Sequence, residues 1–464
     1  MSTTTIPHDF PLPAPEPSQR SDVWPWHTRR DDDGSLRIGS LNLRKIAQQW
    51  GTPVYVVSLD DLLGRAQVWK AAMDEAFWSG YGLAGAQVYY AGKAFLCKRV
   101  VRELCQEGIG IDTASEGELA LALAAGAPPK LIGLHGNNKS QGALSTALEQ
   151  GIGRIVVDSV GEIDRIDSLC SAMNTRARVM VRVTTGVHAG GHEFIATAHE
   201  DQKFGLSLAT GAAREAVQRI TACEHLDFVG LHSHIGSQIF DKGAFVEAAT
   251  RLMGLRKELM DAGINTPELD LGGGYAISYW AGDSVAPSPK EYADELARVI
   301  STLSQDMDME PPHISIEPGR SIAGPSTVTL YEVGTVKDVV LEDGSVRRYI
   351  SVDGGMADNI RPALYGSVYT AALANRRSDQ ALTRCRIVGS HCESGDIIIN
   401  DIALPCDVGR GDLLAVPATG AYGKSMASNY NMLPTPPVVG ISGDKTELLV
   451  RPRTINDLIS EDVS

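Results

Sequence analysis

The segment Gln87-Val88-Tyr89-Tyr90-Ala91-Gly92-Lys93-Ala94 decides the fold, because it is the first of eight apolar runs that each end in a polar or glycine-rich turn. The other runs follow at Gly110–Asp112, Leu131–Leu134, Arg154–Val157, Arg178–Val183, Phe228–His232, Glu268–Leu271 and His313–Ile316. Helical patterns lie between them, as at Glu116–Ala125, Gln141–Gln150, Gly161–Met173, Ala212–Ala222, Ala244–Ala262 and Pro289–Ser304. Continuous apolar runs are typical of parallel strands that are covered by helices. Eight β-α repeats predict an α/β fold, a (β/α)8 barrel of the TIM type.

A doubly wound open sheet is the alternative to a barrel. Such sheets often bind a dinucleotide through a G-x-G-x-x-G motif after the first strand, and no such motif follows Ala91. The pattern therefore favours the barrel, whose active site lies at the C-terminal ends of the strands.

The chain of 464 residues is long for one hydrophobic core, so we expect several segments. Residues 1–22 are rich in Pro, Ser and Thr and predict a flexible tail, and the barrel is expected at 59–323, beginning with a helix at Leu59–Glu75. Residues 324–464 predict a second, all-β domain of sandwich or Greek-key type, which the segment 23–58 joins through a strand at Val54–Val57. Its further strands are expected at Thr327–Val340, Val346–Val352, Arg384–Val388, Asp396–Ile399, Leu413–Val416, Pro437–Ile441 and Thr446–Val450.

The composition indicates which binding partners and which cellular compartment to expect. The formal net charge of −15 argues against binding to nucleic acid or to an anionic membrane surface. The seven cysteines are scattered and form no C-x-x-C motif, which indicates a reducing compartment rather than a disulfide framework. We see neither an apolar run long enough for a bilayer nor a secretory signal, so we expect a cytoplasmic enzyme.

Two of the strand-end turns predict a phosphate site. Gly272-Gly273-Gly274 follows the seventh strand, and Gly319-Arg320 follows the eighth. Free backbone N–H groups in such turns bind anions, and in many barrels the loops after strands seven and eight bind phosphate. The long loop Thr184–Phe204 after the fifth strand has the length of an active-site lid.

The polar side chains at the strand ends suggest a specific cofactor. Lys93 is a candidate Schiff-base lysine, since a desolvated amine has a lowered pKa and becomes nucleophilic, although a single lysine after a strand is ordinarily a surface residue. His232 and His234 share one strand face and have the spacing of zinc ligands, but a lone pair favours stacking on a flat ring instead. Glu317 would hold a proton on a pyridine nitrogen. Together with the phosphate turns, these groups describe a pyridoxal phosphate site.

The motifs resemble those of the fold-type III pyridoxal-phosphate decarboxylases over about Gly51 to Val450. They are Tyr90-Ala-Gly-Lys93-Ala, Asp112…Ser115-Glu-Gly-Glu118, His135-Gly-Asn-Asn-Lys139, Lys203-Phe-Gly205, His232-Ser-His234-Ile-Gly-Ser237, Leu271-Gly-Gly-Gly274, Glu317-Pro-Gly-Arg320, Arg361-Pro-Ala-Leu-Tyr365, Cys392-Glu393-Ser-Gly-Asp396 and Gly420-Ala-Tyr422-Gly.

The resemblance implies a role for each matching position. Lys93 would hold pyridoxal 5'-phosphate and Cys392 would donate a proton. The further cofactor-binding residues would be Asp112, His234, Gly236, Ser237, Gly273, Gly274, Glu317, Gly319, Arg320 and Tyr422. The substrate would be bound by Arg320, Arg361, Tyr365, Glu393 and Tyr422, and no metal is implied. In this family the cysteine comes from the partner subunit, so the resemblance implies a homodimer with shared active sites.

The resemblance also implies an activity. Arg361 can bind a distal carboxylate and Glu393 a distal ammonium, which fits decarboxylation of meso-2,6-diaminopimelate to L-lysine and CO2, the last step of lysine biosynthesis. An ornithine/arginine-type or carboxynorspermidine-type decarboxylase is the alternative enzyme. A catalytically inactive relative that binds a regulatory partner and a metal-dependent barrel hydrolase built on His232 and His234 are the alternatives from other classes.

Overall fold

The computed structural model describes residues 15–187, 203–280 and 282–464. Most of the expected tail and most of the loop Thr184–Phe204 therefore lie outside the described residues. The described chain divides into two compact units. The barrel unit comprises residues 63–187, 203–276 and 286–322, and the β-unit comprises residues 15–62, 277–280, 282–285 and 323–464.

Eight parallel strands close into a barrel, which confirms the fold class. Each strand pairs with its sequence neighbour, and the last barrel strand pairs with the first through Ile314 and Ala86. A short ninth strand, Leu206–Ser207, extends the sheet beside the fifth barrel strand. The barrel strands are Ala86–Ala91, Gly110–Thr113, Ile132–Leu134, Arg154–Val157, Ala177–Thr184, Leu226–His232, Glu268–Asp270 and His313–Ile316.

Helices alternate with these strands close to the expected bounds. Side-chain caps begin several of them, since the hydroxyl groups of Ser115, Ser140 and Ser288 accept backbone N–H groups of the first turn. Ser288 and Glu291 form a full capping box. The helices are Leu59–Asp74, Lys98–Gln106, Glu116–Ala124, Gln141–Gln150, Val160–Met173, Ala212–Ala222, Lys242–Asp261 and Pro289–Asp306, with a π-helical turn at Glu75–Gly80.

The β-unit is built on a mixed sheet. The strand Val54–Ser58 lies between Thr327–Val340, to which it is antiparallel, and Val438–Ser442, to which it is parallel. The remaining strands of this sheet are Val346–Val352, Ala372–Leu373, Leu382–Val388, Ile397–Pro405, Leu413–Pro417 and Lys445–Val450. A separate three-stranded sheet precedes the helix Leu43–Trp50 and consists of Thr28–Arg30, Leu36–Ile38 and Leu41–Asn42.

Both faces of the first half of the long strand Thr327–Val340 are covered. Val328 and Leu330 belong to one buried cluster, whereas Tyr331 and Val333 belong to another. Successive strand residues point to opposite faces, so one strand serves two cores. The first cluster also contains Val23 and Trp24, so ordered packing begins next to the end of the expected tail.

Candidate active site

Lys93 lies directly after the first barrel strand and is exposed. Of the two alternatives for this side chain, a desolvated amine and a surface lysine, the structure shows the surface lysine. Its amine makes no hydrogen bond or ion pair within residues 15–187, 203–280 and 282–464, so it is available to a ligand. Four neighbouring groups have pKa values that depend mainly on burial and also on the charge of the Lys93 ammonium. These groups are Asp112, Glu118, His234 and Glu317.

Glu317 is buried at the end of the eighth strand and pairs with His232. The distance from Nε2 of His232 to Oε1 of Glu317 is 2.9 Å, and Nε2 of His135 lies 3.6 Å from the same oxygen. Burial, reinforced by the charge of Asp112, raises the pKa of the Glu317 carboxyl. Burial lowers the pKa of His232 well below its usual value, which favours a neutral ring, and its Nε2–H donates to Glu317 when that carboxyl is ionised.

A buried ion network lies below this pair. Nη2 of Arg154 is 2.5 Å from Oδ2 of Asp270 and 3.5 Å from Oδ1 of Asp112. Burial disfavours the guanidinium charge, but Asp270 and neighbouring groups outweigh it and raise the pKa of Arg154. Burial, partly opposed by Arg154, raises the pKa of Asp112 to about 7. Nε2 of His135 lies 3.1 Å from Oδ1 of Asp112, which links the network to Glu317.

His234 presents a neutral ring in a fixed tautomer. Its Nδ1 accepts the backbone N–H of Gly273 at 3.1 Å, so the ring proton lies on Nε2. Burial, together with the charge of Lys93, lowers the pKa of His234 well below its usual value. A neutral, oriented imidazole is suited to stacking on a flat heteroaromatic ring.

The predicted phosphate turns come together at one end of the barrel. Nη2 of Arg320 donates to Oγ of Ser237 at 2.8 Å. Gly274 has a φ of 110°, and a Cβ atom there would collide with the carbonyl of Gly236. Glycine is required at this close approach of two turns. The N–H of Gly272 donates to Oδ1 of Asp270 at 2.7 Å and that of Gly273 donates to His234, so these two groups are not the free N–H donors that the glycine triplet predicted. A Cβ on Gly319 would lie 2.9 Å from the Cβ of Ala91, so the third turn is equally tight.

In the β-unit, the substrate residue expected at Arg361 lies in a cage of tyrosines. Its guanidinium carbon lies 5.3, 5.6 and 5.7 Å from the ring centres of Tyr365, Tyr279 and Tyr422. Nε contacts the hydroxyl of Tyr369 at 3.1 Å. Arg361 is buried, yet no Asp or Glu of the described residues forms an ion pair with it.

Cys392 and Glu393 lie in a turn of the same unit, and both are exposed. The backbone N–H of Cys392 donates to Oδ1 of Asn431 at 3.3 Å, and Oε1 of Glu393 accepts the N–H of Gly395 at 3.3 Å. In the described chain, neither Cys392 nor Glu393 forms a hydrogen bond with Arg361. The structure therefore does not bring this turn together with the other expected substrate residues.

The sequence motifs do not predict a role for Arg154 or Asp270, nor the pairing of His135 and His232 with Glu317. The available signal was a charged residue inside an apolar strand run, as at Arg154 and Asp270. Such a residue is stable inside a barrel only when it is paired. The two histidines, whose spacing also suits zinc ligands, have separate contacts, because His232 contacts Glu317 while His234 contacts Gly273.

Residues 61–324 match the family described as pyridoxal-dependent decarboxylase, pyridoxal binding domain. This match places the barrel in the class of pyridoxal-dependent decarboxylases.

Full-length relatives narrow this class. The chain is 48% identical over 448 residues to the diaminopimelate decarboxylase of Mycobacterium tuberculosis, covering 95% of this chain and 98% of that protein. It is 41% identical over 437 residues to the Bacillus subtilis diaminopimelate decarboxylase, covering 94% and 97%. A crystal structure of the M. jannaschii diaminopimelate decarboxylase in complex with L-lysine is similar with a TM-score of 0.86 at 30% identity, covering 95% and 98%. The chain belongs to the diaminopimelate decarboxylase family.

The barrel residues fit the pyridoxal phosphate that this family implies. Such a ligand needs an amine, a flat partner for its ring, an acid for its nitrogen and donors for its phosphate. The unpaired amine of Lys93, the neutral ring of His234 and the buried carboxyl of Glu317 supply the first three. The glycine turns around Gly274, where a Cβ atom would fill the space, supply the fourth.

Proposed function

We propose that the protein decarboxylates meso-2,6-diaminopimelate to L-lysine and CO2. The observation that carries this substrate is the buried guanidinium of Arg361, which lacks a carboxylate partner in the described chain. A buried cation without a counter-ion is costly, which favours the binding of an anion such as a substrate carboxylate at this position. A diamino acid with a second carboxylate provides that anion, whereas ornithine does not.

Two groups would hold the far end of the substrate. Arg361 has a planar guanidinium that binds a carboxylate through two parallel hydrogen bonds, and its orientation is fixed by Tyr369 and Ser367 at 3.1 Å each. The exposed carboxylate of Glu393 would accept the distal ammonium. Such recognition of both charges separates this substrate from simple diamino acids.

The barrel residues would prepare the reacting end. Pyridoxal phosphate, when bound, supplies an electron sink for the electron pair that CO2 leaves behind. Lys93 would hold the cofactor through its amine until the substrate amine replaces it. Glu317 would keep a proton on the ring nitrogen, and His234 would cover the ring face and exclude water. Gly236, Ser237, Gly274, Gly319 and Arg320 would bind the phosphate, and Asp112, Gly273 and Tyr422 would be further cofactor-binding residues.

Cys392 would return a proton to the α-carbon after CO2 leaves. A thiol is a suitable general acid near neutral pH, and this one is exposed on its turn rather than buried in a core. We further propose a homodimer in which Cys392 and Glu393 serve the partner's barrel. The resemblance to the family supports this arrangement.

We also propose a cytoplasmic location. All seven cysteines are free in the structure, which agrees with a reducing compartment. Within the described ranges, the helices lack the combination of length and apolar character that a membrane crossing requires.

The test is CO2 release by the purified protein from diaminopimelate, ornithine, arginine and carboxynorspermidine under identical conditions. The proposal expects diaminopimelate to have the highest kcat/KM and L-lysine to be the product. A preference for ornithine or carboxynorspermidine would overturn it, and zinc at stoichiometric amounts in a protein without pyridoxal phosphate would support the hydrolase instead.

A further inference from the structure

The turn His391-Cys392-Glu393-Ser394-Gly395-Asp396 is closed by its two end residues. Oδ2 of Asp396 accepts the backbone N–H of His391 at 2.8 Å and lies 3.1 Å from Nδ1 of the same ring. Oδ1 of Asp396 accepts the N–H of Met356 at 2.6 Å, which ties the turn to a neighbouring loop. The two end side chains are only 1% and 2% exposed, whereas Cys392 and Glu393 between them are exposed.

Backbone contacts hold the interior of the turn. The N–H of Asp396 donates to the carbonyl of Glu393 at 3.0 Å, and the carbonyl of Asp396 accepts the N–H of Gly389 at 3.0 Å. The N–H of Cys392 donates to Oδ1 of Asn431 at 3.3 Å. Each side chain with a proposed chemical role is therefore attached to backbone that is fixed on both sides.

Close packing restricts the carboxylate and the imidazole to one arrangement. A Cβ on Gly355 would lie 2.6 Å from both Oδ1 of Asp396 and Nδ1 of His391, and a Cβ on Gly389 would collide with the same carboxylate. The ring of His391 also stacks on Tyr430, with centroids 5.5 Å apart and planes inclined by 7°. Buried, fully packed groups have little freedom to change rotamer.

We propose that His391, Asp396 and Asn431 are positioning residues that present the Cys392 thiol and the Glu393 carboxylate to the substrate. The inference rests on the proposed function, because it takes the chemical roles of Cys392 and Glu393 from there. Proton transfer requires donor and acceptor within hydrogen-bond reach, and a displacement of about 1 Å can cost about a hundredfold in rate. An exposed turn achieves this accuracy only when its ends are fixed.

A matched pair of substitutions separates the two contacts of His391. His391→Phe keeps a ring against Tyr430 but removes the N–H that faces Asp396. His391→Asn places an amide N–H near the former Nδ1 and removes the ring. We expect His391→Phe to lower kcat about 10- to 100-fold and to raise KM, while His391→Asn restores most of kcat.

The reactivity of the Cys392 thiol distinguishes a positioning role of His391 from a merely structural one, because a merely structural role would not change it. Iodoacetamide alkylation is followed at single residues by peptide mass spectrometry in the cofactor-loaded enzyme. Cys406 is the other exposed cysteine and serves as the internal control. In His391→Phe the alkylation rate of Cys392 is expected to rise relative to that of Cys406, because the turn is no longer fixed.

Asn431→Gly is a second variant, which we expect to fold. Asn431 is exposed and has a φ of 55°, which glycine adopts without strain, so only the acceptor for Cys392 is lost. We expect faster alkylation of Cys392 and a lower kcat without loss of thermal stability. Wild-type alkylation and kinetics in Asn431→Gly, or in a folded His391→Phe, would overturn the proposal. Full kcat in Cys392→Ala would instead contradict the proton role, while the alkylation data would still report on the turn.

Discussion

The Nε2 atom of His232 lies 2.9 Å from Oε1 of Glu317, and both side chains are buried in the barrel. Because burial lowers the pKa of His232 well below its usual value, the imidazole donates a hydrogen bond without contributing a charge. Glu317 therefore keeps its capacity to pair with a cationic ring nitrogen. Nε2 of His135, 3.6 Å from the same oxygen, restricts the carboxylate from a second direction.

Glu317→Gln tests this arrangement with minimal change of shape. The amide still accepts the hydrogen bond from His232, but it cannot hold a proton on the cofactor ring. We expect kcat to fall about 10²- to 10³-fold, because the lost charge acts in the transition state. The measurement is kcat for diaminopimelate, together with the absorbance spectrum of the bound cofactor.

Glu268→Gln is the matched control, because Glu268 starts a barrel strand and, among the residues that the structure describes, pairs with the surface residue Arg178 at 2.8 Å. Its kcat should equal that of the wild type. Wild-type kcat in Glu317→Gln would show that the carboxylate does not serve the cofactor.

Arg361→Met tests the recognition of the distal carboxylate. Removal of the caged guanidinium should lower kcat/KM for diaminopimelate about a hundredfold, because a buried charge contact to the substrate is lost. The rate of decarboxylation of D-lysine, which lacks that carboxylate, should change much less, so the preference for diaminopimelate over D-lysine should be lost.

Arg386→Met is the control. It removes another arginine over a tyrosine ring, 5.6 Å from the centre of Tyr349, and should leave the preference intact. An unchanged preference in Arg361→Met would refute the assignment.

Asp358 makes the stability of the protein depend on pH. Burial raises the pKa of this carboxyl to about 7 from 3.8, although hydrogen bonds from Tyr331 and Gly355 oppose the shift. The folded state keeps a proton that the unfolded state releases, so the contribution of Asp358 is complete below pH 3.8 and declines as the pH rises through about 7.

In Asp358→Asn, the free energy of unfolding should therefore decline less between about pH 4 and pH 7 than in the wild type. Each unit of pKa shift corresponds to about 1.4 kcal/mol. The measurement is the free energy of unfolding by urea across this range, compared with the wild type. A parallel decline in both proteins would assign the pH dependence to other groups.

Subunit mixing tests the shared active site. Lys93→Ala and Cys392→Ala should each be inactive alone, since each lacks one reacting group. If the two groups come from different subunits, random reassociation restores about a quarter of the sites. As a control, wild type mixed with the double variant should lose activity beyond simple dilution. No recovery in the first mixture would place both groups in one chain.

The barrel could be predicted because its strands and helices obey local rules. Ala212–Ala222 and Gln141–Gln150 have the expected bounds, and the strand Arg154–Val157 is a short apolar run between turns. The strands Thr28–Arg30 and Ala372–Leu373 were not predicted, since two or three residues carry no periodic pattern. Ala372–Leu373 pairs over a long range, as between Ala372 and Ala415, whereas Thr28–Arg30 pairs with the nearby strand Leu36–Ile38.

The residues of the candidate site could be predicted only where a recognisable turn motif contains them. Gly272–Gly274 and Glu317 stand at strand ends, so their meeting follows from the barrel itself. The pairing of Arg154 with Asp270 joins residues 116 positions apart, and only the closed barrel determines which buried charges meet. The sequence alone could not decide between a surface and a desolvated Lys93, because burial of a turn residue depends on its spatial neighbours.

The account depends most directly on Lys93. The purified enzyme, loaded with pyridoxal phosphate, is treated with sodium borohydride, which converts a lysine–cofactor C=N bond into a stable C–N bond. Peptide mass spectrometry then locates the label. We predict that the wild type carries a pyridoxyl group on Lys93 and that the corresponding peptide of Lys93→Ala carries none. A label on another lysine, or decarboxylation at the wild-type rate by Lys93→Ala, would contradict the account.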